Sequence, residues 1–140
     1  MGKTGFVRIL IGVMFLFSSH LSMAEQKVSP EVVAGATTVS TAEAKKLFDK
    51  GVAFVDVRSS RDWEAGRIPG AVHIELKKEL TEAAMAERFT KDQPLVIYCN
   101  STGCMRSSQA AEKAISWGYK NIYYYRLGLP DWKHNGYAIQ

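Results

Sequence analysis

Two short apolar runs limit the folds open to this chain. Val52–Val57 is β-branched or apolar except for Asp56, and Pro94–Tyr98 is apolar or aromatic throughout. Runs this short, without a polar face, are typical of strands in a parallel sheet that is covered on both sides. Segments with helical character separate the runs. The pattern therefore predicts an α/β fold in which a parallel sheet is flanked by helices.

The helical segments carry their own start and stop signals. Ser40–Glu43 matches a capping box, and Gly51 is placed to end the helix that follows. The other predicted elements are helices over Lys77–Arg88, Ser107–Trp117 and Leu129–His134, and a strand over Asn121–Tyr125. This length suits one domain with one core, which we expect at residues 39–140.

The first residues have the pattern of a secretory signal peptide. Two basic residues precede an apolar run over Ile9–Phe17, and Ser22–Ala24 places small residues where a signal peptidase cleaves. A retained membrane anchor is the alternative, but a bilayer span needs about 20 apolar residues. We therefore expect residues 1–24 to be removed after Ala24, which would leave a periplasmic protein without a stable membrane anchor. Residues 25–38 lack a clear period and are predicted to be a flexible N-terminal arm.

Charge gives no sign of a nucleic-acid partner. The 18 basic residues include Lys3 and Arg8, whereas all 14 acidic residues follow Ala24. The mature chain would therefore carry a net charge of about +2, with its basic residues scattered rather than clustered. Nucleic-acid binding is not expected from such a distribution.

Cys99 and Cys104 are the only two cysteines. Disulfides persist in the oxidising compartments to which proteins are exported, so a structural disulfide is one interpretation of the pair. A loop closed by so few residues removes little entropy from the unfolded chain, however, and would stabilise the fold only slightly. We therefore favour a chemical role, because thiols beside a helix start recur in redox and nucleophilic sites. His73 and His134 lack metal-ligand spacing to the cysteines, and no metal site is expected.

The segment from Cys99 to Arg106 joins a predicted strand to a predicted helix. Gly103 allows a backbone conformation closed to other residues. Successive amides in such a turn, together with the helix N-terminus, form a nest that binds anions. The same amides and Arg106 would stabilise the Cys99 thiolate as a nucleophile. Asp56 ends a neighbouring strand, and sites in parallel sheets lie at the carboxyl ends of strands.

Three separated segments of the chain resemble the rhodanese family. The first joins Asp56–Arg58 to Asp62–Ile74, the second is Ile97–Ser107, and the third lies within Gly118–Tyr137. Three motifs in the family's order make a chance match improbable. The resemblance implies a single rhodanese-like domain that acts as a sulfurtransferase and needs no cofactor.

The resemblance also implies roles for individual residues. Cys99 would be the catalytic nucleophile that carries sulfane sulfur as a persulfide, with Arg106 holding the anionic substrate. The substrate-binding loop would comprise Asn100, Ser101, Thr102, Gly103, Cys104 and Met105. Asp56 and Arg58 would support the loop by ion pairing, although a weak surface salt bridge is the alternative for Arg58. The implied partners are a small anionic sulfur donor, such as thiosulfate, and a thiol or cyanide acceptor.

Two features of the loop depart from the family pattern. Six residues separate Cys99 from Arg106, where four are usual in thiosulfate-type members, so the identity of the donor stays open. Cys104 is the second departure, because its sulfur could reach Cys99 within so tight a loop. Attack by Cys104 on a Cys99 persulfide would expel sulfide and leave a disulfide, which a thiol–disulfide reductant would have to reopen.

Three other functions remain open from the sequence. The chain could be a thiol–disulfide redox protein that uses Cys99 and Cys104. It could be a non-catalytic binding module in which a locked disulfide leaves only an anion or partner site. A phosphatase or arsenate reductase is the last alternative, because a larger loop could hold a tetrahedral oxyanion. No Asp in the loop is placed as its general acid.

Overall fold

The computed structural model describes Gly2 and residues 24–140. Its strands are β1 (Thr37–Thr38), β2 (Ala53–Asp56), β3 (Val72–His73), β4 (Leu95–Tyr98) and β5 (Ile122–Tyr125). Its helices are α1 (Thr41–Asp49), α2 (Ser60–Ala65), α3 (Glu82–Ala86), α4 (Arg106–Ser116) and α5 (Gly128–His134). None of the helices in this part of the chain is long and apolar enough to cross a membrane. Apart from Gly2 and Ala24, the predicted signal peptide lies outside the described residues.

The strands form one sheet in the order β1-β5-β4-β2-β3, and every pair is parallel. The predicted α/β class, with a parallel sheet flanked by helices, is therefore confirmed. The register aligns Asp56 with Tyr98 and Tyr98 with Tyr125. The central strands thus end at the same level, and the loops that follow them share one edge of the sheet.

Two apolar clusters cover the two faces of the sheet. The larger cluster packs Val55, Val57, Leu95 and Ile97 against helices α3 and α4 and includes Cys99. The second packs Phe54, Val96 and Tyr98 against α1 and α5, with Trp132 at its centre. Successive strand residues alternate between the clusters, as the two-residue period of a strand requires. This double cover explains why the central strands β2 and β4 are apolar apart from Asp56.

Helix α1 follows its sequence signals, whereas α3 is shorter than predicted. Ser40 and Glu43 form the expected capping box. The helix predicted over Lys77–Arg88 is reduced to Glu82–Ala86. The cause is Thr81, which is extended and accepts a hydrogen bond from the backbone of the new first turn. A cap of this kind starts a helix and excludes a continuous one through the same residue.

The flexible arm predicted over residues 25–38 differs from the structure from Ser29 onward. Val33 is 2% exposed and belongs to the larger core cluster, and β1 adds a parallel strand beside β5. Ser29 is also buried, whereas Val28 and Val32 remain exposed. These contacts could not be expected from residues 29–38 alone, because their partners lie near the opposite end of the chain, beyond the reach of local patterns.

Candidate active site

The cysteine loop, residues Cys99–Met105, leaves the carboxyl end of β4 and leads directly into α4. Cys99 is completely buried, and its carbonyl oxygen accepts a hydrogen bond of 3.1 Å from the backbone amide of Leu129 in α5. A turn over the far part of the loop is closed by the amide of Cys104 on the carbonyl of Ser101, at 2.9 Å. The loop is therefore fixed at both ends by backbone contacts.

Cys99 and Cys104 form a disulfide, with their Cα atoms 6.4 Å apart. The expectation that the two sulfurs could reach one another is confirmed. In this oxidised state Cys99 has no thiolate, so it cannot attack a sulfur donor. A dithiol that reduced the bond would release both sulfurs.

Gly103 does not have the conformation expected of it. Positive φ occurs at seven glycines of the described chain, and Gly103 is not among them. The glycine that the loop requires is Gly128, at the start of α5, with φ of +69°. A Cβ at this position would lie 2.7 Å from the carbonyl oxygen of Asn100 and closer still to that of Cys99. Gly128 therefore lets the backbone of α5 approach the cysteine loop.

Asp56 and Arg58 form a buried ion pair beneath the loop. Nε of Arg58 donates to Oδ1 of Asp56 at 2.9 Å, and Nη2 donates to Oδ2 at 2.6 Å. The Tyr98 hydroxyl donates to the same Oδ2 at 2.6 Å. All three residues are no more than 2% exposed. The surface salt bridge considered for Arg58 is therefore excluded, since this pair is desolvated and supplied with further hydrogen bonds.

Burial and charge act together on this cluster. Burial is the largest single influence on the pKa of Arg58 and lowers it, but the hydrogen bonds to Asp56 and the nearby negative charges, that of Asp56 first, together outweigh burial and raise the pKa above its ordinary value. Burial, followed by the charge of Asp56, raises the pKa of Tyr98. Both groups thus keep their protons, and Asp56 keeps its donors, across the pH range in which the protein would work.

Arg58 also reaches the cysteine loop. Its Nη1 donates to the Asn100 side chain at 3.3 Å, and its Nη2 donates to the carbonyl of Gly66 at 2.7 Å. The Asn100 amide in turn donates to Asp62 at 3.2 Å. That hydrogen bond is the main cause that lowers the pKa of Asp62, and the charges of Arg58 and Arg106 lower it further. Asp62 belonged to the sequence resemblance, but no role was predicted for it.

Arg106 lies at the end of the loop, where it was expected to hold an anionic substrate. Its Nη1 is 3.7 Å from Oε1 of Glu75, whose side chain is only 4% exposed. This Nη1 is buried, as is the Ser107 hydroxyl, and neither has a hydrogen-bond partner among the described residues. Glu75 is a site residue that sequence reasoning missed. Its only signal was a charged residue at the end of an apolar segment, which usually marks an exposed position.

The N-terminal segment contacts the far side of the loop. The backbone amide of Ser29 donates to the carbonyl of Thr102 at 2.6 Å. The carbonyl of Ser29 accepts hydrogen bonds of 3.1 and 2.8 Å from Nε and Nη2 of Arg126. Arg126 follows β5 and thereby holds the N-terminal segment against the loop.

An open cavity of about 400 Å³ lies beside the loop. Its lining consists of Arg58, Asp62, Ala65, Gly66, Asn100, Leu129, Pro130 and Lys133. Asn100 is the loop residue that faces this cavity, and it is held there by Arg58 and Asp62. Among the described residues, no group of His, Cys, Asp or Glu is arranged to hold a metal ion.

Comparison with protein families and curated proteins gives consistent matches. The family model for the rhodanese-like domain matches residues 40–135. The chain is 32% identical over 112 residues to the human thiosulfate:glutathione sulfurtransferase, covering 71% of this chain and 96% of that protein. It is 30% identical over 96 residues to the tRNA uridine(34) hydroxylase of Buchnera aphidicola from Schizaphis graminum, covering 64% of this chain. The match spans only 29% of the hydroxylase.

Two solved structures are also similar to this chain. A human single-domain sulfurtransferase superposes with a TM-score of 0.58 at 26% identity, covering 72% of this chain and 96% of that chain. A Bacillus halodurans protein superposes with a TM-score of 0.67 at 21% identity, covering 75% and 77% of the two chains. The second likeness shows the fold alone.

Proposed function

Because this chain belongs to the rhodanese-like domain family, we propose that it moves sulfane sulfur through a persulfide on Cys99. The observation that carries the proposal is the position of Cys99 at the carboxyl end of β4, in the loop that opens α4. A human relative in sequence and a human solved structure that this chain resembles are both sulfurtransferases by name. The hydroxylase relatives lend less support to a specific reaction, since this chain spans less than a third of their length.

The reaction begins with reduction of the Cys99–Cys104 disulfide. A dithiol partner gives up two electrons and becomes a disulfide, while Cys99 and Cys104 become thiols. The Cys99 thiolate then attacks the outer sulfur of the donor, whose S–S bond breaks, and the remainder of the donor leaves with the electron pair. An acceptor thiolate or cyanide next attacks the outer sulfur of the persulfide, and Cys99 leaves as a thiolate.

Each site residue has a separate role in this reaction. Cys99 is the catalytic nucleophile, and Asn100–Met105 form the substrate-binding loop that follows it. Arg106, at the end of the loop, supplies positive charge beside the reacting sulfurs. Asp56 and Arg58 are positioning residues, because their buried pair supports the loop through the contact between Arg58 and Asn100.

Export to the periplasm is part of the proposal. It is supported by the signal-peptide pattern that precedes Glu25. Expression of the full chain in a bacterial host should yield a periplasmic protein whose first residue is Glu25, read by N-terminal mass spectrometry. Retention in the membrane fraction with an intact N-terminus would contradict it.

The activity is tested by thiocyanate formation from cyanide and a sulfane-sulfur donor after reduction with a dithiol. Wild-type protein should turn over, whereas Cys99→Ser should be inactive and Cys104→Ser should retain transfer. If Cys99→Ser is as active as the wild type, the proposed nucleophile is wrong.

A thiol–disulfide redox protein is the second candidate function, favoured by the disulfide between Cys99 and Cys104. The two functions differ in what Cys104 does. If Cys104 resolves the persulfide, Cys104→Ser should accumulate a stable persulfide on Cys99 that the wild type does not. Equal accumulation in both proteins excludes a resolving role. If reduced wild-type protein takes up no sulfur but exchanges disulfides readily with a dithiol, the redox function is favoured.

A further inference from the structure

Glu75 lies against Arg106, the arginine that the proposed function places beside the reacting sulfurs. Oε1 of Glu75 is 3.7 Å from Nη1 of Arg106, and its Oε2 is 3.3 Å from the Ser60 hydroxyl. With a side chain 4% exposed, Glu75 is poorly solvated and its charge is weakly screened. Its other cationic neighbour is Lys78, at 3.7 Å, but that side chain is 73% exposed.

The two arginines that flank the cysteine loop are already paired with carboxylates. Arg58 pairs with Asp56 and Arg106 pairs with Glu75, and Asp62 adds a third carboxylate nearby. The pair between Arg58 and Asp56 is fully buried.

Two further cations lie near the loop but change this balance little. Lys133 is exposed on the cavity rim, where solvent screens its charge. Arg126 is directed to the carbonyl of Ser29. Neither cation forms an ion pair with Glu75, whose partners are Arg106 and Lys78.

Resting on the proposed function, we infer that Glu75 sets donor specificity by neutralising Arg106. The site would thereby favour an organic persulfide, a donor with at most one charge on its reacting sulfurs, over the dianion thiosulfate. Thiosulfate brings two negative charges into a site whose arginine is already paired, and like charges in a poorly solvated site repel strongly.

The transfer from an organic persulfide balances without a further reactant. The Cys99 thiolate attacks the terminal sulfur of R–S–SH, forming the Cys99–S bond. The S–S bond of the donor breaks, and R–S⁻ leaves with the electron pair. The proton remains on the transferred sulfur or passes to the leaving thiolate. The only oxidant or reductant needed is the dithiol that first opens the disulfide.

The test compares two donors in single-turnover loading of reduced protein. The rate of persulfide formation on Cys99 is measured by mass spectrometry with thiosulfate and with hydroxyethyl persulfide. Wild-type protein should load faster from the persulfide. Glu75→Gln keeps the shape and removes the charge, so loading from thiosulfate should rise about tenfold, on the scale of one part-buried unit charge. Loading from hydroxyethyl persulfide should change little.

Glu79→Gln is the matched control, since it removes the same charge from an exposed residue of the same segment and keeps a side-chain oxygen that can accept the hydrogen bond from the Glu75 backbone amide. It should leave both loading rates unchanged. The inference is overturned if wild-type protein prefers thiosulfate, or if Glu75→Gln changes both donors equally. If Glu75→Gln does not fold, a wild-type preference for thiosulfate still overturns the inference. If neither donor loads Cys99 in wild-type protein, the proposed function itself fails, and this inference fails with it.

Discussion

Replacing Gly128 with alanine tests how tightly the cysteine loop is fixed by α5. Gly128 has φ of +69°, a conformation that costs an alanine about 1–2 kcal/mol. The added Cβ would also overlap the carbonyl oxygens of Cys99 and Asn100, the second at 2.7 Å. Overlap with backbone that must shift costs a further ~1–3 kcal/mol. The free energy of unfolding should therefore fall by about 2–5 kcal/mol in all.

Gly136→Ala provides the matched control. Gly136 has a similar φ of +75°, but a Cβ there would meet no atom within 4 Å. It should lose only the backbone component, about 1–2 kcal/mol. The difference between the two losses of unfolding free energy, measured by urea unfolding, then gives the cost of the overlap at Gly128. Transfer activity should fall only in Gly128→Ala. Equal destabilisation of the two variants would refute the close approach of α5 to the loop.

Two further perturbations test the support beneath the loop. Arg58→Ala leaves the carboxylate of Asp56 buried without its ion-pair partner, so the free energy of unfolding in urea should fall by about 3–5 kcal/mol. Arg61→Ala is the control, because Arg61 is exposed and its loss should change the unfolding free energy little. Similar losses in the two variants would contradict the buried pair. The hydrogen bond from Asn100 lowers the pKa of Asp62 below 3.8, so its stabilisation should be present above that pH and be lost as the pH falls through the lower folded-state value. Asn100→Ala should lose most of this pH dependence in an acid titration of the unfolding free energy, and an unchanged titration would show that the hydrogen bond does not act on Asp62.

The sheet and its order of elements could be predicted from the sequence because their signals are local. An apolar run such as Pro94–Tyr98 reports burial on both faces, and the Ser40–Glu43 capping box marks a helix start within a few residues. Because sites in parallel sheets lie at the carboxyl ends of the strands, Asp56 and Cys99 were also expected at the same edge of the sheet, where the structure has them.

What could not be predicted depends on contacts between distant residues. Ser29 is held by Arg126 and by the cysteine loop, and neither contact leaves a periodic pattern in the N-terminal segment. The need for glycine was assigned to Gly103 because it lies in the loop, whereas the close approach occurs at Gly128. Glu75 was missed for the same reason, since only the fold brings it to Arg106.

The most direct test of sulfur transfer through Cys99 is the mass of the Cys99 peptide after exposure to a sulfane-sulfur donor, measured on oxidised and on dithiol-reduced protein. The reduced protein should gain one sulfur atom on Cys99, which cyanide removes as thiocyanate, and the oxidised protein should gain none. Uptake of sulfur by the oxidised protein would contradict the requirement for reduction. A reduced protein that gains no sulfur on Cys99 from either thiosulfate or an organic persulfide would contradict sulfur transfer itself.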